Sequence, residues 1–200
     1  MKKALLLLTL IAVLGTVGIV LRSKPETETV AVPQPVEHAV EPIDSIDQPV
    51  PKDLVPFLLK LDFSSDITAA NIQEFYATEN LALAPGQQTL LVRGKGLVMC
   101  SPTGNCPTYL FLKEDAGYRM LCDIGDAQRV LVLGSSTLGY RDVRASMHGS
   151  ATSSDVSVFR FNGTDYHAEE CYAEDYSTLD DDSDGKPQKD PVITPHNCER

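Results

Sequence analysis

From residue 88 to residue 171 the sequence is a series of short runs rich in Val, Leu, Phe, Tyr and Thr, separated by turn-forming residues. Each run has the length of a β-strand, and no segment of helical periodicity lies between the runs. Strands that follow one another so closely pair as antiparallel neighbours. The sequence therefore predicts a mainly β (α+β) domain, an antiparallel β-meander or small sandwich. The runs predicted to be strands are 89–92, 97–99, 108–113, 118–123, 129–133, 141–147, 156–161 and 165–171.

Two connections have the composition of hairpin turns. Glu114-Asp-Ala-Gly117 joins one pair of strands, and Asn162-Gly163 joins a later pair. Asn-Gly is a preferred pair for a two-residue turn, because both positions require a positive φ. These turns support antiparallel pairing of the strands on either side of them.

One short helix is predicted ahead of the strands. Ser65 and Asp66 can cap its first turn, and the apolar spacing continues to about Asn80. The residues expected on one face are Ile67, Ala70, Phe75 and Tyr76.

The stretch from Ala4 to Leu21 is almost entirely apolar and lies between basic residues. As a helix it would be about 27 Å long at ~1.5 Å per residue, close to the thickness of a bilayer core. It therefore predicts a signal-anchor or a signal peptide, and the lack of an Ala-x-Ala site favours the uncleaved anchor. The expected location is the inner membrane facing the periplasm, or a secreted or periplasmic one if the stretch is cleaved.

The regions on either side of the predicted domain are acidic. The net charge is −11; residues 23–56 carry 2 basic and 7 acidic side chains, and residues 174–200 carry 3 and 8. Residues 23–56 also hold seven of the 13 prolines, which disfavours a packed element there. The predicted organisation is an anchor at 1–22, a Pro-rich acidic linker at 23–56, a β domain at 57–173 and an acidic tail at 174–200. Such a surface repels phosphate backbones, so nucleic acid is not an expected partner.

The five cysteines suit an oxidising compartment. Cys100 and Cys106 enclose a segment with Pro and Gly, and this spacing predicts a disulfide rather than a zinc or redox site. A bond between Cys171 and Cys198 is the preferred second bridge, and a Cys122–Cys171 bond is a close alternative. Cys122 is otherwise expected to be buried as a small apolar residue.

The tail contains an acidic repeat that resembles the opening of a calcium-binding loop. Its alternating carboxylates are Asp180, Asp182 and Asp184. Pro191 occupies the position that would need a bidentate Glu, so a solvated acidic tail is favoured. No cofactor is expected, and calcium is the weaker alternative.

Candidate binding residues are tyrosines and charged residues of the predicted strands. They could line one surface for a protein or a glycan, although a cross-strand Arg–Asp ladder is the favoured explanation of the charged ones. The candidates are Tyr109, Tyr118, Tyr140, Arg141 and Asp142. His148 and His167 are the only histidines near strands, and neither belongs to a recognisable catalytic motif.

Three segments resemble small uncharacterised exported bacterial proteins: Cys100-Ser-Pro-Thr-Gly-Asn-Cys106-Pro, Gly139-Tyr-Arg-Asp-Val143 and Val158-Phe-Arg-Phe-Asn-Gly-Thr-Asp-Tyr166. The last two are also similar to single blades of FG-GAP-type repeats, but no repeated copy follows. The resemblance implies a β-rich fold in the cell envelope and carries over no catalytic residue.

The predicted function is a membrane-tethered or secreted envelope binding module for a protein or glycan. Its membrane contact would be Ala4 to Leu21. An inhibitor of an envelope hydrolase such as a lysozyme is the first alternative, because an acidic scaffold can fill a basic cleft. A hydrolase using His148 or His167 is the second, and a non-enzymatic role is preferred.

Overall fold

Two antiparallel sheets make up the computed structural model, which describes residues 41–42, 47–61, 66–177 and 191–198. The described strands are β1 (Glu41–Pro42), β2 (Tyr76–Leu81), β3 (Thr89–Gly94), β4 (Cys106–Glu114), β5 (Gly117–Ala127), β6 (Arg129–Thr137), β7 (Tyr140–Ser150), β8 (Ser153–Phe161), β9 (Tyr166–Asp175) and β10 (Val192–His196). The described helices are α1 (Val55–Leu61), α2 (Ile72–Phe75) and α3 (Gly96–Met99).

The strand order follows the chain almost throughout. One sheet has the order β2-β3-β4-β5, and the other has the order β1-β6-β7-β8-β9-β10. Apart from β1, which pairs with β6, each strand lies beside its neighbour in sequence. The expectation of a mainly β, antiparallel fold is therefore confirmed, and both predicted hairpin turns join paired strands.

The core lies between the two sheets. Leu91, Leu110 and Ile124 of the four-stranded sheet belong to the same buried cluster as Val143 and Phe159 of the six-stranded sheet. The other face of the four-stranded sheet is covered as well, because Leu90 and Phe111 pack with Leu58 of α1 in a second cluster. Since side chains alternate along a strand, an apolar run such as 89–92 fills both clusters.

The predicted helix from Ser65 to Asn80 is wrong over most of its length, since the described residues 66–71 are not helical either. Tyr76–Leu81 is β2, which pairs with β3 along its length, and only Ile72–Phe75 is helical. Tyr76, Ala77 and Thr78 are buried in succession, so both faces of this segment are covered. Sheet pairing and burial outweigh the local helical spacing. Ser65 lies outside the described residues.

The predicted strand 97–99 is helical instead. A single turn forms, in which the Cys100 N–H donates to the Gly96 carbonyl at 3.0 Å. Gly96 has a φ of 74°, a conformation that turns the chain out of β3 and that other residues rarely adopt.

The folded unit begins before Phe57, within the predicted linker. Val50 and Leu54 are buried, and the Val50 N–H donates to Gln73 Oε1 at 2.8 Å. Residues 47–56 therefore pack in the fold despite their prolines, since backbone N–H groups such as that of Val50 find hydrogen-bond acceptors there. Residues 1–40, including the predicted anchor Ala4 to Leu21, lie outside the described part of the chain. Within the described part, no helix is long and apolar enough to cross a membrane.

The end of the predicted loose tail is a strand. β10 pairs with β9 from Val192 opposite Asp175 to His196 opposite Cys171. The preferred Cys171–Cys198 disulfide is present, so the alternative Cys122–Cys171 bond is excluded. Cys122 is buried, as expected, and belongs to neither disulfide. The calcium candidates Asp180, Asp182 and Asp184 lie outside the described residues.

We expect the double variant Cys171→Ala/Cys198→Ala to lose more stability than Cys100→Ala/Cys106→Ala. The first disulfide joins positions 27 apart and the second joins positions 6 apart. Chain entropy then gives losses of about 3.5 and about 2 kcal/mol. Urea unfolding under non-reducing conditions measures both values, and hydrogen exchange should report faster exchange in β10 only for the first variant. Equal losses, or unchanged exchange in β10, would contradict this assignment.

Candidate functional site

The most exposed large apolar side chains in the described structure lie together on one loop. Leu97 is 87% exposed and Val98 is 81% exposed, at the end of the four-stranded sheet. We call these two residues the tip, and we call residues 95–106, which connect β3 to β4, the disulfide loop. Scattered apolar residues on a surface are normal, so it is the adjacency of these two aliphatic side chains that makes the tip a candidate contact site.

The base of the disulfide loop is fixed by close backbone packing. A Cβ at Gly94 would lie 2.8 Å from Pro107 Cγ and 3.0 Å from Met99 Cβ, so a larger residue does not fit there. The Lys95 N–H donates to the Phe75 carbonyl at 2.8 Å, which joins the loop to α2. The chain then enters α3 with Leu97 and Val98 directed to solvent.

The Cys100–Cys106 disulfide closes the loop, as the sequence predicts. Inside it, the Ser101 N–H donates to the Asn105 carbonyl at 2.8 Å and the Gly104 N–H donates to the Ser101 carbonyl at 2.9 Å. Gly104 has a φ of 84°, which this tight return of the chain requires. The connection from α3 to β4 is therefore an ordered turn.

Arg93 holds the loop against the corner where β5 passes to β6. Its Nη2 donates to the Gly104 carbonyl at 3.1 Å, the Ala127 carbonyl at 3.1 Å and the Gln128 carbonyl at 2.8 Å. Burial lowers the pKa of the Arg93 guanidinium from its ordinary value, without bringing its titration near neutral pH. A fixed, planar set of donors suits three carbonyls from two separate segments, the disulfide loop and the β5–β6 corner.

Asn105 joins the loop to the six-stranded sheet. Its Nδ2 donates to the His148 carbonyl at 2.9 Å, and its Oδ1 accepts from the His148 N–H at 2.8 Å. Both hydrogen bonds go to His148 in β7. The register between β7 and β8 shifts next to this residue, between His148 and Ser150. The loop is thus attached to both sheets.

The predicted binding residues do not form one surface. Tyr109 and Tyr118 pack in the cluster under α1, whereas Tyr140 packs in the cluster between the sheets. Tyr118 is buried, with its ring edge-on to Phe111 at 6.5 Å and Lys113 Nζ 4.3 Å from its ring centroid. These tyrosines stabilise the core of the fold.

Arg141 and Asp142 have structural partners. Arg141 donates through Nε to the Leu133 carbonyl at 2.8 Å and through Nη2 to the Val132 carbonyl at 3.2 Å, where β6 shifts its register with β7. Asp142 is buried; it accepts from Thr137 Oγ1 at 2.8 Å and lies 3.8 Å from Arg160 Nε. The guanidinium satisfies carbonyls that the irregular ladder leaves open.

The two histidines lie in different settings. The described hydrogen bonds of His148 are made by its backbone to Asn105. His167 is 57% exposed and its Nε2 lies 2.7 Å from Asp165 Oδ1, beside a cavity of about 350 Å³ that Cys122 also lines. Among the described residues, no group of three or more His, Cys, Asp and Glu side chains is placed to hold a metal ion.

Sequence reasoning missed the tip because Leu97-Val98-Met99 has the composition of a strand. The available signal was the pair of glycines around Lys95, since a glycine on each side of one residue marks a sharp change in chain direction. Comparison with protein-family models, with curated proteins and with solved structures found no match to this chain.

We expect Asn105→Ala to cost about 1–3 kcal/mol in the free energy of unfolding, because it removes both partners of the His148 backbone. His148→Ala is the matched control; it keeps those backbone bonds and should cost about 0.5 kcal/mol or less. Thermal unfolding compares the two variants, and hydrogen exchange of residues 101–105 reports on the loop. A His148→Ala variant as destabilised as Asn105→Ala would show that the side chain of His148, and not its backbone, carries this contact.

Proposed function

We propose that this chain is a binding module of the bacterial cell envelope that docks on a protein through the tip. The observation that carries the proposal is the exposure of Leu97 and Val98, 87% and 81%, on an ordered loop. Apolar side chains that a partner buries favour association, because removing apolar surface from water is the dominant favourable contribution to most protein–protein binding. A loop already held in its bound form loses less conformational entropy on binding.

The tip favours a protein partner over a glycan. Sugars are bound mainly by rings and by polar groups that match their hydroxyls, whereas the tip offers two aliphatic side chains. Aliphatic groups gain most from an apolar pocket, about 25 cal/mol per Å² of surface removed from water.

The envelope setting draws support from the cysteines. Disulfides persist in oxidising compartments, and both the Cys100–Cys106 and the Cys171–Cys198 bonds contribute to the fold. In this proposal the segment from Ala4 to Leu21 anchors the chain in the inner membrane, so that the domain faces the periplasm. The resemblance to small exported bacterial proteins agrees with this location.

The second candidate is an inhibitor of an envelope hydrolase such as a lysozyme. The net charge of −11 favours it, because an acidic protein is drawn to a basic enzyme. In this second candidate function, the tip binds to the hydrolase, and this binding inhibits the enzyme.

We expect a photo-crosslinking amino acid at position 98 to form an adduct with a protein in intact cells, and one at position 138 to form none. Leu138 is the matched control, since it is 70% exposed but lies on the β6–β7 turn. In envelope extracts, excess wild-type chain should suppress the adduct and excess Leu97→Ser/Val98→Ser chain should not.

The adducts are identified by mass spectrometry, and thermal unfolding checks that the double variant keeps its fold. Replacing these two exposed aliphatic side chains by serine should change the free energy of unfolding by about 0.5 kcal/mol or less. An adduct with lipid alone, or equal adducts at positions 98 and 138, would rule out the proposed docking.

A further inference from the structure

The stretch of sequence that contains the tip has no acidic residue, although Glu74 on α2 and Asp126, opposite Pro107, lie at the same end of the four-stranded sheet. The net charge is −11, but residues 80–113 contain Arg93, Lys95 and Lys113 and neither Asp nor Glu. Lys113 is paired with Asp53, and Arg93 is engaged by three carbonyls. Lys95 is therefore the cation that the loop presents to a partner.

Lys95 stands two positions before Leu97 and is exposed. Its ammonium makes no ion pair or hydrogen bond with any residue in the part of the chain that the structure describes. Glu74 lies on α2, which contacts α3, but it too forms no ion pair with Lys95. The tip is thus an apolar pair beside an exposed lysine that forms no ion pair with a described residue.

A partner that matches this pattern is basic overall and carries carboxylates in an apolar depression. Opposite net charges steer the two proteins together, and charges at the contact then fix the register. At an ionic strength of 0.15 M, dissolved ions screen the interaction between charges that lie more than about 8 Å apart. Groups in direct contact, such as Lys95 and a carboxylate of the partner, are screened much less.

The substrate cleft of a glycan hydrolase has this chemistry. Most glycoside hydrolases place two carboxyl groups on either side of the scissile bond, within a cleft that binds the sugar chain. We infer that the tip enters the cleft of a basic glycan hydrolase, with Lys95 facing the cleft carboxylates and Leu97 and Val98 against its apolar wall. This inference rests on the proposed function and names the class of partner.

The test uses a basic lysozyme as the probe, with a soluble chito-oligosaccharide as substrate and the full chain in a mild detergent that leaves the enzyme unaffected. A chain that occupies the cleft should raise KM and leave kcat unchanged. Leu97→Ser/Val98→Ser and Lys95→Glu should each weaken inhibition by about tenfold or more, as for central contact residues. Lys95→Arg and the control Leu138→Ser should inhibit like the wild type.

Each other result has a definite meaning. Unchanged lysozyme turnover at the highest soluble concentration of the chain overturns the inference, and so does inhibition that Lys95→Glu leaves intact. If turnover is unchanged but the crosslinker at position 98 still captures another protein, the proposed function stands without this partner class. If neither inhibition nor a protein adduct is found, both are overturned.

Discussion

Burial of the four-stranded sheet on both faces is the constraint on which the rest of the structure depends. One face packs against the six-stranded sheet through Leu91 and Leu110, and the other packs against α1 through Leu90 and Phe111. A sheet covered on both sides has no free face for a ligand. Its edges, its ends and its connecting loops remain available for contact, and the disulfide loop lies at one of these ends.

The alternation of side chains along β3 also determines how the disulfide loop is held. Arg93 follows Leu91 by two positions and therefore points to the side of the six-stranded sheet. There it meets the corner at which β5 gives way to β6, whose carbonyls at Ala127 and Gln128 accept its hydrogen bonds. Residue 94 points to the other side, where only glycine fits beside Pro107. The packing of the core thus fixes the starting direction of the loop.

Much of the sheet could be predicted from the sequence because strand pairing between chain neighbours is a local property. The hairpins at Gly117 and Gly163 and the Cys100–Cys106 bond depend on residues close in sequence. Three strands could not be predicted. β1 has only two residues, in the proline-rich segment predicted to be a linker. β2 has helical spacing but is buried on both faces by distant segments, and β10 is short and contains a proline but is held by pairing with β9 and by the Cys171–Cys198 disulfide.

The candidate site could not be predicted for a different reason. Whether an apolar residue is buried depends on what the tertiary fold brings against it, so Leu97 and Leu91 are alike in sequence and opposite in exposure. The tyrosines and Arg141 were attractive because such residues are common at interfaces, yet here they fill the core and complete an irregular ladder. Residue type alone therefore did not predict where these side chains lie in the fold.

An exposed aliphatic pair is unfavourable for the isolated protein, and its effect depends on the order of the loop that carries it. A loose loop would fold Leu97 and Val98 back onto nearby apolar surface, where they would lose contact with water. The Cys100–Cys106 disulfide and the hydrogen bonds of Arg93 and Asn105 prevent this, because they fix the backbone on both sides of α3. The interactions that stabilise the loop are thus also those that keep Leu97 and Val98 exposed, and under the proposed function they would link the stability of the fold to docking.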